Sequence, residues 1–373
     1  MLVVNAGSSS VKLSVIAGDD TTVAARELTA PRAAIDPDEL RAAIADGLGE
    51  ADAVGHRIVH GGELFRSPVV IDADVQSRLR DLVALAPLHQ PKSLAALDAV
   101  SVALPGLPAV ACFDTAFHAT LPAAAHTYAL PAEWRARWSL RRYGFHGLSH
   151  AWVSRRAPQL LGVDPARLRL VSAHLGAGAS LCAIRDGRSL DTTMGFTPLE
   201  GLVMATRSGS VDPGLLLWLM EQTGMAEDEL ARALEHDSGL RGLAGSADMR
   251  DVVARAAAGE EVAGLALDVY EHRLRAAIGA MASALGGLDV LVFTGGVGEH
   301  SPEIRARAVR GLDFLGLGVD DRLNAADGAD DREITGARAR ATVLVIRARE
   351  DLEIARQARA ALAGRLGPQP SDR

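Results

Sequence analysis

Two cysteines in 373 residues leave no disulfide framework to read. Cys112 and Cys182 each lie in an apolar run without a Cys-x-x-Cys partner. They read as reduced core thiols in a cytoplasm, with a disulfide between them left open. Positive charge is not in excess either. The formal net charge is -8, which excludes a general nucleic-acid or membrane surface and requires any anion site to be local. No apolar run reaches the length of a membrane span, and the first residues lead straight into a strand, so neither an anchor nor a signal peptide is expected. What is present is the balance of a soluble globular protein, 48% apolar and 23% charged, in a chain long enough for two domains with full cores.

The chain opens on Val3-Val4-Asn5-Ala6-Gly7-Ser8-Ser9-Ser10-Val11-Lys12-Leu13. An apolar strand runs into a glycine and three hydroxyls, and alternating residues then continue as a second strand. The spacing is not that of a P-loop, and the turn joins two strands without a helix. Backbone N–H groups and hydroxyls in such a loop suit an anion, with Lys12 adding a charge, although Gly-Ser turns also close ordinary hairpins. The pattern returns at Val171-Ser172-Ala173-His174-Leu175-Gly176-Ala177-Gly178-Ala179-Ser180-Leu181. With Gly7 over Gly176, the next turn at Ala17-Gly18-Asp19 falls on Asp186-Gly187-Arg188, and Asn5 falls on His174. Two hairpin pairs in one register predict a duplicated domain with a phosphate chain held in a shared cleft.

Between and after these repeats, helices are expected over Asp38–Leu48, Asp74–Leu85, Ser93–Leu104, Asp228–Glu235 and Val262–Leu285. The stretch Ala53–Glu63 reads as a short strand that breaks at Gly61-Gly62, and Arg57, His56 and His60 beside the break fit either a ligand-facing strand or a polar strand end. The buried strand Pro108–Phe113 ends at Asp114, where α/β proteins place catalytic carboxylates. Ser149 is a candidate helix cap. The run Thr192–Gly214 has neither clean periodicity nor linker composition, which marks an ordered functional loop. The strand Leu288–Thr294 enters Gly295-Gly296-Val297-Gly298-Glu299-His300, and a helix is expected from Ser301-Pro302-Glu303. A last strand, Ala341–Ile346, precedes an Ala/Arg helix expected to fold back on the N-terminal half, and residues 366–373 read as a loose tail.

Six motifs then carry a resemblance: Asn5 to Lys12, Gly55 to Glu63, Phe113 to His118, Tyr143-Gly144-Phe145-His146-Gly147, Met194-Gly195-Phe196-Thr197-Pro198-Leu199-Glu200-Gly201 and Phe293 to Glu299. In that order, from Val3 to about Ala355, the chain resembles the acetate kinase family of the acetate and sugar kinase, chaperone ATPase and actin superfamily. The resemblance implies an α/β fold of duplicated actin-like (ribonuclease H-like) domains, each a mixed sheet flanked by helices, with an interdomain cleft. The N-terminal domain is then expected over 1–117 with 353–373, and the nucleotide-binding domain over 118–352. It further implies a cytoplasmic homodimer that converts ATP and acetate to ADP and acetyl phosphate, with Mg²⁺ (or Mn²⁺), and closure of the domains over the nucleotide.

Carried over position by position, the resemblance makes Arg57 and Arg207 the holders of the carboxylate and the in-flight phosphoryl, with Asp114 and His146 as further catalytic groups. Asn5 and Glu350, with Asp114, are implied around the metal. Val59, Leu88, Phe145 and Pro198 are implied as the walls of the acyl pocket. For the nucleotide it implies Ser8, Ser10 and Lys12, the second hairpin His174, Leu175, Gly176, Ala177 and Gly178, then Asp248, Met249, Arg250, and the run Gly295, Gly296, Val297, Gly298, Glu299. The chemistry agrees with such a site. A carboxylic acid is ionised at neutral pH and needs no general base, so repulsion between anions is the obstacle, roughly 4 kcal/mol for two charges about 4 Å apart. Guanidiniums and a metal answer it. Two positions depart from the family pattern, Ala177 and His300, each where Asn is common, and the segment before Ala51 is short. Propionate or butyrate kinase, a sugar or polyol kinase, and a non-transferring ATP scaffold remain as rival readings; the apolar pocket argues against a polyol, and joint retention of Arg57, Arg207 and His146 against a scaffold.

Overall fold

The structure, a computed structural model, describes residues 1–7, 10–29, 38, 41–42, 51–85, 90–326, 328 and 330–364. The helix expected over Asp38–Leu48 lies largely outside the described residues, and Ser8, Leu88 and the tail 366–373 lie wholly outside them. The chain forms two compact units. The first contains Met1–Ala119, Phe145–Trp152 and the chain from Arg349; the second contains Thr120–Gly144 and Val153–Ala348.

The first unit is built on β1 (Leu2–Ala6), β2 (Ser10–Ile16), β3 (Thr22–Thr29), β4 (Val54–Ile58), β5 (Val69–Val70) and β6 (Ala109–Phe113). They form one mixed sheet in the order β3-β2-β1-β4-β6-β5. β1 and β2 are an antiparallel hairpin with Asn5 opposite Lys12, while β1, β4 and β6 run parallel. Strand alternation sorts side chains to two faces. On one face Val4, Val54 and Leu13 pack with Ala96, Ala99 and Val100 of the helix Gln90–Ala103. On the other, Val3, Val110 and Cys112 pack with Ile354, Ala355 and Ala358 of the helix Glu350–Leu362, so the C-terminal helix does fold back on the N-terminal sheet. Gly55 permits this approach, because a Cβ there would stand 2.7 Å from Ile354 Cγ2. Leu148 joins the same cluster, which explains why Phe145–Trp152 belongs to the first unit although its boundaries were expected at 117 and 353.

The second unit repeats the plan with β7 (Arg169–Leu175), β8 (Ala179–Arg185), β9 (Arg188–Thr192), β10 (Val290–Thr294), β11 (Arg332–Glu333) and β12 (Thr342–Val345). Read from β9, the order β9-β8-β7-β10-β12-β11 matches the first sheet strand for strand. β7 and β8 form the second antiparallel hairpin, and β7, β10 and β12 run parallel. The helix Glu261–Leu285 buries Leu267, Leu274, Ile278 and Leu285, a stripe at helical spacing. It stops at Gly286, whose left-handed φ of 68° costs a glycine little.

Two local expectations are corrected, and the reading of Cys112 and Cys182 as reduced core thiols holds. Ser149 does not cap its helix, which already begins at Gly147 and holds Ser149 as a fully buried interior residue. Gly295–His300 is itself a short helix, followed at once by Pro302–Val309, whose Ser301 cap was legible. Cys112 and Cys182 are both free and buried, so the disulfide left open by the sequence is not formed. Among the described residues no helix is long and apolar enough to cross a membrane.

Candidate active site

The C-terminal ends of the parallel strands in the first unit gather a compact polar cluster. β1 contributes Asn5, β4 contributes Arg57, and Asp114 follows β6 directly. Glu350, the first residue of its helix, completes it: its Oε2 accepts from Asn5 Nδ2 at 2.8 Å. Arg57 is the hub. Its Nη2 donates to Asp114 Oδ2 at 2.6 Å, and its Nε donates to both Asp114 oxygens at 3.1 and 3.2 Å. Its Nη1 donates to Asn5 Oδ1 at 3.2 Å and to the Ala6 carbonyl at 3.4 Å. The Asp114 side chain is 1% exposed and that of Arg57 15%. Burial works against the guanidinium charge, but Asp114 and Glu350 outweigh it and raise Arg57 above its ordinary value. Burial likewise pushes the Asp114 carboxyl up, against the pull of Arg57.

His146 is held beside this cluster by the backbone. It takes a φ of 55°, a left-handed conformation that a histidine adopts rarely. Gly147 N next to it donates to the Asp114 carbonyl at 2.9 Å, and a Cβ on Gly147 would come within 2.1 Å of that oxygen. Phe145 is buried, with its carbonyl 3.0 Å from His118 Nε2 and its ring 5.5 Å from that of His60. Val59 is half-buried, and Lys12 is exposed on β2; Ser10 opens β2. Strand alternation resolves the polar end of β4: Arg57 turns to the cluster, whereas His56 is buried on the opposite face.

In the second unit the β7–β8 turn, Gly176–Gly178, is closed by a Gly176 N to Gly178 carbonyl bond of 3.0 Å. Gly176 and Ala177 line a cavity of about 870 Å³ together with Asp248, Met249, Arg250, Gly296 and Val297. His174, Leu175, Gly178, Gly295, Gly298 and Glu299 are not among its lining residues. Gly295 and Glu299 instead build its frame. Glu299 Oε1 accepts from Gly295 N and from Ala348 N, each at 2.9 Å, and a Cβ on Gly295 would meet the Leu175 carbonyl at 2.8 Å. Asp248 caps the helix Met249–Ala257 and grips the Arg250 guanidinium, which holds its carboxyl down at about 2. The lining also includes Ala205, Leu240, Tyr270, His300 and Pro302, of which the sequence marks His300 as a departure and Pro302 as a helix start.

Arg207 belongs to the same unit. Its Nε stands 3.1 Å from Glu235 Oε2 and its Nη1 donates to the Pro198 carbonyl at 3.3 Å, so the cation and the buried proline are tied together. Among the described residues no cluster of three or more His, Cys, Asp and Glu side chains is disposed to hold a metal. Glu350 and Asn5 carry hard oxygens of the kind that suits Mg²⁺, but Asn5 Oδ1, like both Asp114 oxygens, accepts from Arg57.

The model of the Acetokinase family matches residues 34–356. The chain belongs to that family. It is 47% identical to an acetate kinase of Clavibacter michiganensis subsp. michiganensis, over 98% of this chain and 99% of that protein. It is 45% identical to an acetate kinase of Streptomyces coelicolor, over 96% of this chain and 95% of that one. Among solved structures, the Porphyromonas gingivalis acetate kinase is similar with a TM-score of 0.88 and 36% identity, covering 97% of this chain and 99% of that chain. A propionate kinase from Francisella tularensis subsp. tularensis has the same TM-score of 0.88 at 34% identity, covering 95% and 98%. The repeated sheets are accordingly the duplicated actin-like domains of the acetokinase fold.

Proposed function

We infer that the chain is an acetate kinase, transferring the γ-phosphoryl of ATP reversibly and in line to a carboxylate oxygen of acetate, with ADP and acetyl phosphate as products. The observation that carries this reading is the engagement of Asp114 by Arg57 through both carboxylate oxygens. A hydroxyl acceptor needs a carboxylate free to take its proton. A carboxylate acceptor is already ionised and needs only cations to bring two anions together. Asp114 therefore serves to orient the Arg57 fork, whose planar geometry suits a carboxylate or a phosphoryl group. His146 and Arg207 stabilise charge on the transferring group, and Phe145, Val59 and Pro198 cover the acyl methyl. The cavity lined by Met249, Gly296 and Val297 takes the adenosine, and Lys12 and the N–H groups of the β7–β8 turn other than that of Gly176 serve the phosphates.

Glu350 and Asn5 would hold Mg²⁺. When bound, the ion neutralises phosphate charge. The same reading makes the protein a cytoplasmic homodimer. The helix Pro213–Thr223 supports the dimer, since it buries none of its residues and exposes Leu215, Leu217, Trp218 and Met220. The propionate kinase among the similar structures favours a second reading of the acceptor, because one methylene changes binding by only about 1–3 kcal/mol. Initial rates of ADP formation with acetate, propionate, butyrate and glycerol test both. Acetate is expected to give the highest kcat/KM; a preference for propionate makes the second reading correct, and activity with glycerol alone overturns both.

A further inference from the structure

The motif Met194–Gly201 supplies Pro198 to the proposed acceptor site, but its most heavily bonded side chain is Glu200. Glu200 Oε1 accepts from Arg142 Nη2 at 2.8 Å, and Oε2 accepts from the Tyr128 hydroxyl at 2.6 Å. That hydroxyl in turn accepts from Phe196 N at 2.8 Å, so one phenol joins the acid at the end of the turn to the backbone in its middle. Arg142 Nη1 donates to three successive carbonyls at its start, Thr192 at 3.2 Å, Thr193 at 3.1 Å and Met194 at 3.0 Å. The guanidinium also lies over the Tyr128 ring, 5.6 Å from its centre. Gly195 fits beneath this network without a side chain: a Cβ there would stand 1.7 Å from Glu200 Oε2 and 2.2 Å from the Tyr128 hydroxyl. The Gly195 carbonyl receives Tyr143 N at 3.1 Å and Gly144 N at 3.2 Å, from the strand of sequence that leads to Phe145 and His146.

We propose that Tyr128, Glu200 and Arg142 are positioning residues that lock the 194–200 turn and thereby set where Pro198 and Arg207 meet the carboxylate acceptor. The proposal rests on the acceptor reading of the preceding section. The lock acts through the backbone: Pro198 lies between the bonded Phe196 amide and Glu200, and its carbonyl receives Arg207 Nη1. A charge-assisted pair and a phenol bridging an acid to an amide define a single arrangement of the turn, where an apolar contact would leave a range of them. Burial and the Glu200 bond both raise the Tyr128 hydroxyl above its ordinary value, so it remains a donor through the neutral range. Loosening the lock shifts the acceptor pocket and leaves the nucleotide cavity, lined by other residues, in place.

The test uses the full chain with Tyr128→Phe, Glu200→Gln and the double substitution. Each single change is expected to raise the KM for acetate by about five- to tenfold with the KM for ATP within about twofold, and to alter the acetate to propionate ratio of kcat/KM. The double variant is expected to lie within about twofold of the worse single one, since the three groups act as a unit. Hydrogen exchange of the peptide spanning 194–201 supplies a readout independent of activity: Tyr128→Phe, nearly isosteric and safe for folding, should speed exchange of the Phe196 amide. Additive effects, equal rises in both KM values, a loss of thermal stability with unchanged KM, or unaltered exchange overturns the lock. A wild-type chain inactive with every carboxylate overturns the acceptor role together with the functional reading, whereas a normal wild type with indifferent variants overturns only the proposal.

Discussion

Arg57 and Asp114 illustrate how one buried pair fixes both stability and chemistry. The carboxylate is almost wholly out of solvent, and among the described residues the guanidinium bonds both of its oxygens. Truncation by Arg57→Ala should therefore cost about 3–5 kcal/mol in a urea midpoint experiment, because a buried charge loses its partner. Arg57→Lys should restore part of the stability but not the fork, with kcat/KM for acetate lowered by about a hundredfold or more. The opposite expectation holds for Ala177, an exposed residue of the β7–β8 turn whose own N–H does not depend on its side chain. Ala177→Asn should leave turnover within about tenfold, roughly 1.4 kcal/mol, and a larger change would show that the turn holds phosphate through side chains.

Among the elements, β4 shows what a strand pattern reveals and what it hides. Its alternation was legible, and it separates Arg57 from His56, yet the sequence left open which polar residue faced a ligand. His56 sits between Val4 of β1 and Ala111 of β6, and among the described residues neither ring nitrogen has a hydrogen-bond partner. Burial lowers it to about 4, and lowers His60, whose Nδ1 accepts from Gly62 N at 2.9 Å, to about 4 as well. Both unfolded values lie near 6.5, so the unfolded chain binds protons that the folded one refuses. Stability should be flat above pH 6.5 and fall as the pH drops from 6.5 toward 4, by up to about 3 kcal/mol per imidazole. Denaturant titrations across that window check this, and His56→Leu should remove about half the slope. The hairpins, the buried strands ahead of Asp114 and Gly295 and the Ser301 cap were readable because each is encoded within a few residues. The links from Glu200 to Tyr128 and Arg142 were not, since they join positions 72 and 58 residues apart and leave no local periodicity. The helix Pro213–Thr223 was missed for a related reason: it is apolar on all sides and buries none of its residues, so no amphipathic stripe announces it.

The whole molecule is one plan used twice, and the two copies have diverged in what their strand ends carry. The first sheet ends in Asn5, Arg57 and Asp114, and the second ends in His174 and the glycines at 295 and 296, next to a cavity large enough for a nucleoside. Fold and family were legible from the repeated hairpins and from motifs spread along the whole chain, because the duplication places equivalent turns in equal register. At this scale the exposed helix Pro213–Thr223 predicts self-association. Sedimentation should give a dimer, and Leu217→Glu with Trp218→Glu should shift it toward monomer; a wild-type monomer at micromolar concentration would remove the role given to that helix. The central claim, phosphoryl transfer to a carboxylate, is tested most directly by trapping the product. With MgATP, acetate and hydroxylamine, acetohydroxamate should accumulate mole for mole with ADP and fall with ADP in Arg57→Ala. ADP released without hydroxamate, or hydroxamate undiminished by the loss of Arg57, would contradict the account.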